Sequence, residues 1–460
     1  MLPASLVGFL ALHIYVFRRH GITARKPEIG PAVPFWPDQV LKDAVACLGV
    51  LAVVLLLAIF KGAELSAPAD PAQAYAAARP EWYFLFLFRF LKFEWVEHYG
   101  LAFGAIYFPG AIMTIVLAMP LIAKKLGKVG HRFNVLFLAL VSVGIIGLTL
   151  LAMVEDAANE DHQSAIAEAH RDGERTVELA RGESRIPASG AGALLANDAF
   201  TQGPRIFAKH CASCHRFDGH NGRGRLMTAA VSESDERQVT LPEAADLGKF
   251  ASREWMRAVL LDFQAHFAPI KLSGRYQNQT GDYFDPDNSE MADWSGEVDE
   301  LRSPEQADDV NAIVEFLASE ANHGLEQFDA ALVARGRALA VDGSWNGALD
   351  GAACTNCHAA IGETFVEDAT DDAGGYPDIR QYGSKAWLTA FLKDPGSVQF
   401  YGDKNQMPAF ADKLSATELE HLTTWLTRTY EPTEVPPYSD RSPLVKDAVQ
   451  ERLSESTTAE

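Results

Sequence analysis

The chain has 460 residues, too many for one compact domain, and a formal net charge of −21. That charge is uneven: residues 1–153 hold 13 Lys+Arg against 8 Asp+Glu, and the remainder holds 27 against 53. An apolar, slightly basic front joined to a strongly acidic rear reads as a membrane half followed by a soluble half. The acidic surface argues against nucleic acid and suits a basic protein partner drawn in by long-range attraction.

Apolar runs at 44–60, 99–123 and 133–154 are long enough, or nearly so, to cross a bilayer, which takes about 17–25 residues. A shorter apolar piece, 1–17, reads as most of a fourth span; it lacks the basic leader and cleavage site of a secretory signal. Cys47, inside the first full run, reads as a small buried hydrophobe. Arg18, Arg19, Arg25 and Lys26 follow the short piece, and Lys124, Lys125, Lys128 and Arg132 lie between the last two runs. Both clusters are expected on the cytoplasmic side, which puts the loop 61–98 and everything after 154 outside. That loop contains Pro80, Glu81, Trp82 and Tyr83, followed by an apolar, Phe-rich stretch to Lys92. Aromatic residues at headgroup level need no further role. A carboxylate shielded among them would have a raised pKa and could take a proton from a quinol hydroxyl. Residue content alone leaves both readings open.

Pro80-Glu81-Trp82-Tyr83 in this setting closely resembles the PEWY signature of the cytochrome b family, found at the quinol-oxidising site of bc-type complexes. Pro34-Phe35-Trp36-Pro37 leading to Lys42 and Asp43 is similar to the segment that opens that family's fifth helix. The stretch 12–21 is similar to the end of its fourth, where the position of His13 is an axial ligand of the b-type haem nearer the cytoplasm. The resemblance covers residues 1 to about 153. It implies the end of one helix (1–20) and a subunit IV-like domain of three transmembrane helices (21–153). It also implies catalytic roles for Glu81 and Tyr83, quinone contacts from Pro80, Glu81, Trp82 and Tyr83, and a cytoplasmic-side quinone site using Asp43 and Arg18. The family's three other b-haem histidines are expected on a separate cytochrome b N-terminal polypeptide. A lone His on an apolar helix is as readily interface filler, so both readings of His13 stand.

Residues 154–199 are charged and rich in Ala, Glu and Arg, as suits an exposed helix leaving the membrane, with Ser189-Gly190-Ala191-Gly192 as a flexible joint. Beyond them stand two identical motifs, Cys211-Ala-Ser-Cys214-His215 and Cys354-Thr-Asn-Cys357-His358. Two thioethers to haem vinyl groups need sulfurs about one helical turn apart, with the adjacent His reaching the iron. His215 and His358 are therefore the expected proximal ligands of two covalent c-type haems. Such haems are attached only outside the cytoplasm, in agreement with the loop charges. An internal repeat locates the distal ligands. Asp246, Ser252, Trp255, Ala258, Leu260 and Asp262 recur 132 residues later as Asp378, Ser384, Trp387, Ala390, Leu392 and Asp394. After that helix the second copy reaches Met407-Pro408, and the first, 16 residues longer, reaches Met291. Met407 and Met291 are the expected sixth ligands of the second and first haem. Met256 reads as core, Met227 lies too close to His215 to fold back, and His220 or His266 stand as alternatives. This half resembles small class I cytochromes c throughout.

The expected fold is mainly α. Transmembrane helices precede two small all-α cytochrome c domains, 200–325 and 326–432, and a disordered tail, 433–460. The resemblances together imply a fused subunit of a quinol:cytochrome c (or other acceptor) oxidoreductase. It would be multi-pass in a bacterial inner membrane with its haems on the periplasmic side. Expected partners are the cytochrome b N-terminal polypeptide, a Rieske-type iron–sulfur protein and a basic soluble cytochrome c or other acceptor, in a dimeric complex with quinol as substrate. A tethered dihaem carrier of a terminal oxidase, without quinone chemistry, and a dihaem peroxidase remain the rival readings.

Overall fold

The computed structural model describes residues 2–21, 34–60, 62, 66–69, 77–182, 185–230, 237–272, 285–297, 301–324, 326–346, 349–359, 361–367 and 376–437. The chain divides into two compact units, Met1–Leu65 and Ser66–Glu460. Arg25, Lys26, Lys61 and the tail beyond 437 lie outside the described residues.

In the first unit, helix α1 (Leu2–His20) closes with Arg18, Arg19 and His20 in its last turn, where positive charge meets the negative end of the helix dipole. A wide turn (Phe35–Gln39) leads into α2 (Val40–Phe60). After Asp43, α2 carries no charge, and its leucines and valines are exposed on every side. Its 21 residues extend about 30 Å, the thickness of a bilayer's hydrocarbon core. A helix apolar all round needs an apolar environment all round.

The second unit begins with a short 3₁₀ turn (Trp82–Phe84), α3 (Leu85–Leu91), α4 (Glu94–Tyr99) and a wide turn (Phe103–Tyr107), and enters α5 (Phe108–Ala158). The stretches Phe35–Phe60 and Phe103–Ala158 are long and apolar enough to cross a membrane. The second doubles back on itself. Gly127 takes a left-handed conformation (φ 55°) that side chains resist, and the Asn134 amide then donates to the Met119 carbonyl at 2.9 Å. Gly130 lies against the Ile122 carbonyl with no room for a Cβ. The expected runs 99–123 and 133–154 thus become the two arms of one hairpin, with Lys124, Lys125, Lys128 and Arg132 around its tip.

Segment 79–91 is fastened to the opposite end of that hairpin. Arg79 pairs with Asp156 through two nitrogens (2.9 and 3.0 Å) and Arg89 with Glu155 (2.6 Å). Phe90 stacks on Phe108 with ring centroids 4.6 Å apart.

Asn159 breaks the second arm and caps α6 (Glu160–Arg181), accepting from the His162 amide at 2.8 Å. The sequence suggested an exposed helix here. Instead its charged face is buried, because each charge meets a partner. Glu168 pairs with Arg223, Asp172 with Arg205 (2.5 Å), and Arg175 with Glu178 (2.8 Å) and Asp198 (2.8 Å). Asp198 also caps α8 (Ala199–His210), which follows α7 (Gly192–Ala196).

The remaining elements are a two-stranded antiparallel pair, β1 (Thr228–Ala230) and β2 (Arg237–Val239), an addition to the expected all-helical domain. Then come α9 (Arg253–Leu261), α10 (Phe263–Phe267), α11 (Pro269–Leu272), α12 (Glu290–Glu297) and α13 (Ala307–Ala321). The second repeat supplies α14 (Ala330–Asp342), α15 (Lys385–Lys393) and α16 (Ala416–Leu426). One hydrophobic core runs through both repeats, from Ile206 to Leu426. The main helix pairs cross the 325/326 division. Gly203 of α8 abuts Trp425 of α16, and Gly336 of α14 abuts Ala312 and Phe316 of α13. Where the tail begins, Thr433 and Glu434 bond to the Glu178 carboxylate and Val435 is buried.

The Arg175–Asp198 pair is nearly inaccessible, with side-chain exposures of 3% and 6%. Arg175→Ala leaves a buried carboxylate without its cation, so the unit that α6 joins should lose about 3–5 kcal/mol in calorimetric unfolding. A loss below about 1 kcal/mol, the scale of an exposed pair, would show that this contact does not hold α6 in place.

Candidate functional sites

Both Cys-x-x-Cys-His segments fold as the same tight turn at the end of a helix or loop. Cys214 and His215 amides donate to the Cys211 carbonyl (3.1 and 2.9 Å), and Cys357 and His358 amides to that of Cys354 (3.2 and 2.9 Å). Each cysteine pair and its histidine are thereby gathered on one turn. The ring atom Nδ1 of His215 lies 2.8 Å from the Ala245 carbonyl, and that of His358 lies 2.9 Å from the Pro377 carbonyl. A carbonyl only accepts, so Nδ1 carries the proton and Nε2 keeps the lone pair that an iron requires. Ala245 and Pro377 are 132 residues apart, the repeat's own offset. Burial pushes the Cys211 thiol up to about 12 and the Cys354 thiol to about 11. Among the described residues no cluster of three or more His, Cys, Asp or Glu is placed to hold a metal ion. The donor set thus fits haem attachment and not a zinc tetrad.

Sequence reasoning did not find Arg216. It is fully buried and donates to the Ala212 (2.6 Å), His215 (3.1 Å) and Thr240 (2.6 Å) carbonyls, so it braces the first turn from behind. Position 359 of the second repeat is Ala, and no periodicity signals the difference.

Met407 is half-buried against the core, and the Asn405 side chain grips its backbone, accepting from its amide (3.0 Å) and donating to its carbonyl (2.7 Å). Met291 is half-buried at the second position of α12. Met256 is 2% exposed in the core, and Met227 packs against that core just before β1. His220 accepts at Nδ1 from the Gly222 (2.9 Å) and Gly224 (3.1 Å) amides, which places its proton on Nε2 and disfavours ligation there. His266 stands edge-on to Trp255 at 4.3 Å, and burial drops its pKa to about 4.

In the membrane half, Glu81 precedes the 3₁₀ turn and its carbonyl accepts from the Phe84 amide at 2.8 Å. Trp82 and Tyr83 meet edge to face at 5.6 Å. Glu81, Trp82 and Tyr83 are exposed, the last two at 68% and 51%. Among the described residues of this unit, none supplies the shielding expected for Glu81. In the first unit, His13 and Arg18 are exposed on α1, and Asp43 on α2 accepts from the Gln39 amide at 2.9 Å.

Residues 68–170, which contain the Glu81 turn and the α5 hairpin, are a cytochrome b C-terminal domain, matching the family described as "Cytochrome b(C-terminal)/b6/petD". Among individual proteins, the chain is similar to the menaquinol:cytochrome c reductase cytochrome c subunit of Geobacillus thermodenitrificans. They are 26% identical over 224 residues, covering 46% of this chain and 80% of that protein. The subunit of the same name from Bacillus subtilis is 32% identical over 95 residues, 21% of this chain. Cytochrome b of Rhodobacter capsulatus is 29% identical over 161 residues, 29% of this chain. The match spans only 37% of each of these last two relatives. No solved structure matches the chain.

The two turns give a direct expectation. The denatured protein should retain two haems through covalent links, and Cys354→Ala with Cys357→Ala should leave one, counted by mass spectrometry and haem absorbance. A single covalent haem in the unaltered protein would contradict the equivalence of the turns.

Proposed function

We propose that this chain is a subunit of a menaquinol:cytochrome c reductase, contributing to the outer-side quinol-oxidation site and to the path from there to a periplasmic acceptor. Menaquinol comes from the names of the Geobacillus and Bacillus relatives. The observation that carries the reading is continuity. The Glu81 turn lies in a cytochrome b domain, fastened by Arg79 to Asp156. From the same hairpin end, α6 runs into a unit with two haem-attachment turns.

Glu81 accepts a proton from a quinol hydroxyl, and the Tyr83 hydroxyl, next in the same turn, orients the ring. Pro80 and Trp82 supply apolar walls, and the cytochrome b N-terminal polypeptide covers what this chain leaves exposed, excluding water from the carboxylate. The haems, when bound, supply one-electron carriers between quinol oxidation and the acceptor. His215 and His358 would hold the irons at Nε2, and Met407 and Met291 would supply a thioether to each site, which favours ferrous iron and raises the potential. His13 completes a b-type haem site with the neighbouring polypeptide, and Asp43 and Arg18 line a cytoplasmic-side quinone site. A Rieske-type protein takes the first electron, since the cysteines of the two turns are committed to haem. The basic hairpin tip faces the cytoplasm and the two Cys-x-x-Cys-His turns lie outside, a reading supported by the Lys and Arg gathered at that tip.

Glu81→Gln keeps size and hydrogen bonding but removes the proton affinity. In the assembled complex it should slow quinol oxidation by about 10- to 1000-fold, on the scale of a positioned acid–base group, with haem spectra unchanged. Full activity with intact haems would overturn the role of Glu81.

A further inference from the structure

Three contacts place the methionine segment of the first repeat beside the haem-attachment turn of the second. The Tyr376 hydroxyl, next to the Pro377 carbonyl that fixes His358, is near enough to the Glu290 carboxylate and to Cys357 for both to raise its pKa. Glu290 is the neighbour of Met291. Three residues further on, Trp294 meets Trp345 at 6.4 Å, and Trp345 donates to the Ala352 carbonyl just before Cys354 (3.0 Å). Gln306 then donates to the Asn346 carbonyl at 2.8 Å.

The reciprocal placement holds for the other repeat. The segment after Met407 leads through Lys413 to α16, and Lys413 and Glu418 both act electrostatically on His210, the residue before Cys211. Phe217, two residues after His215, stacks on Trp425 of α16 at 4.3 Å.

The repeats cross at equivalent positions. Gly383, left-handed at φ 79°, faces Ala251 with no room for a Cβ, and these two residues are 132 apart. Beside them the Trp255 indole donates to the Tyr382 hydroxyl at 3.1 Å. Up to this crossing each repeat stays with its own histidine, since Ala245 and Pro377 accept from His215 and His358. Beyond it, α9 packs on α13 and α15 on α16, and those last helices pair with the opposite repeat's first helix. The chain therefore folds as two copies that have traded everything downstream of residues 251 and 383.

We propose that the axial methionines are exchanged between the repeats: Met407 faces the iron held by His215, and Met291 the iron held by His358. The inference rests on the two-haem, methionine-ligated reading above and changes which half of the chain completes each site. Neither haem site is complete within one repeat.

The full chain carrying Cys354→Ala and Cys357→Ala keeps only the haem on His215. Its far-red sulfur–iron absorption band should vanish on adding Met407→Ala and survive Met291→Ala. The opposite pattern overturns the exchange while leaving methionine ligation intact. A parent without the band, or a band that survives both changes, overturns methionine ligation itself and points to His266. Should the one-haem chain fail to fold, the two-haem chain with Cys47→Ser and a nitroxide label at Thr364→Cys provides the second measurement. Position 364 is exposed, six residues after His358. High-spin ferric iron produced by Met291→Ala should broaden that label strongly, and iron produced by Met407→Ala should broaden it less. The reverse order overturns the proposal.

Discussion

A helix crossing without room for a Cβ fixes the haem-bearing unit, and it occurs twice. Gly203 lets α8 close on Trp425, and Gly336 lets α14 close on Ala312 and Phe316. Each crossing anchors a helix whose end leads into a Cys-x-x-Cys-His turn. Close packing of this kind tolerates little adjustment, so the turns, their histidines and the carbonyls that orient them are held by the same contacts. Because each crossing joins opposite repeats, the unit is expected to unfold as one.

A second chain of contacts runs from the membrane outward. Arg79 and Arg89 tie the Glu81 turn to Asp156 and Glu155, Asn159 redirects the chain, and α6 docks through paired charges. These pairs are partly or wholly buried, where an unpaired charge costs several kcal/mol, so the pairing specifies one docking geometry. Burial alone would raise the Glu168 carboxyl, but Arg223, Arg205 and Arg225 outweigh it and hold the group below its ordinary 4.5. A depressed carboxyl stabilises fully above that ordinary value, and the stabilisation is lost as pH falls through the lower folded value. The Glu168–Arg223 contact should thus be firm at neutral pH and weaken in acid, whereas burial pushes the neighbouring Asp172 carboxyl up. A fixed link suits a path in which electrons leave one end of the hairpin for carriers just beyond it.

Local chemistry was legible in the sequence where spacing itself is the chemistry. The two Cys-x-x-Cys-His turns and the offset of 132 residues read directly, and the offset returns in the structure as matching caps of α9 and α15. Ser252 accepts from the Trp255 amide and Ser384 from the Trp387 amide, at 3.3 and 3.2 Å. The apolar runs were also legible, because length and lack of charge are all that a spanning helix requires. Residues 154–199 misled, since a helix rich in charge reads as solvated until its partners are known; Arg205, Arg223 and Asp198 are distant or irregularly spaced in sequence. The traded helix pairs were illegible for a related reason. Two similar repeats carry interchangeable faces, and neither their motifs nor their spacing says which face meets which. The shielding of Glu81 was likewise not legible, because an acid among aromatics in sequence reads as buried, yet Glu81, Trp82 and Tyr83 are exposed in their unit.

On the proposed function, quinol oxidised beside the Glu81 turn delivers electrons to the haems of this same chain. Stopped-flow absorbance of c-haem reduction in the intact complex, with menaquinol analogue as donor, tests it when run with and without an inhibitor that occupies the outer quinol site. The inhibitor should abolish rapid reduction of both c-type haems. Reduction at an unchanged rate in the presence of saturating inhibitor would contradict it and leave the chain a membrane-tethered electron carrier.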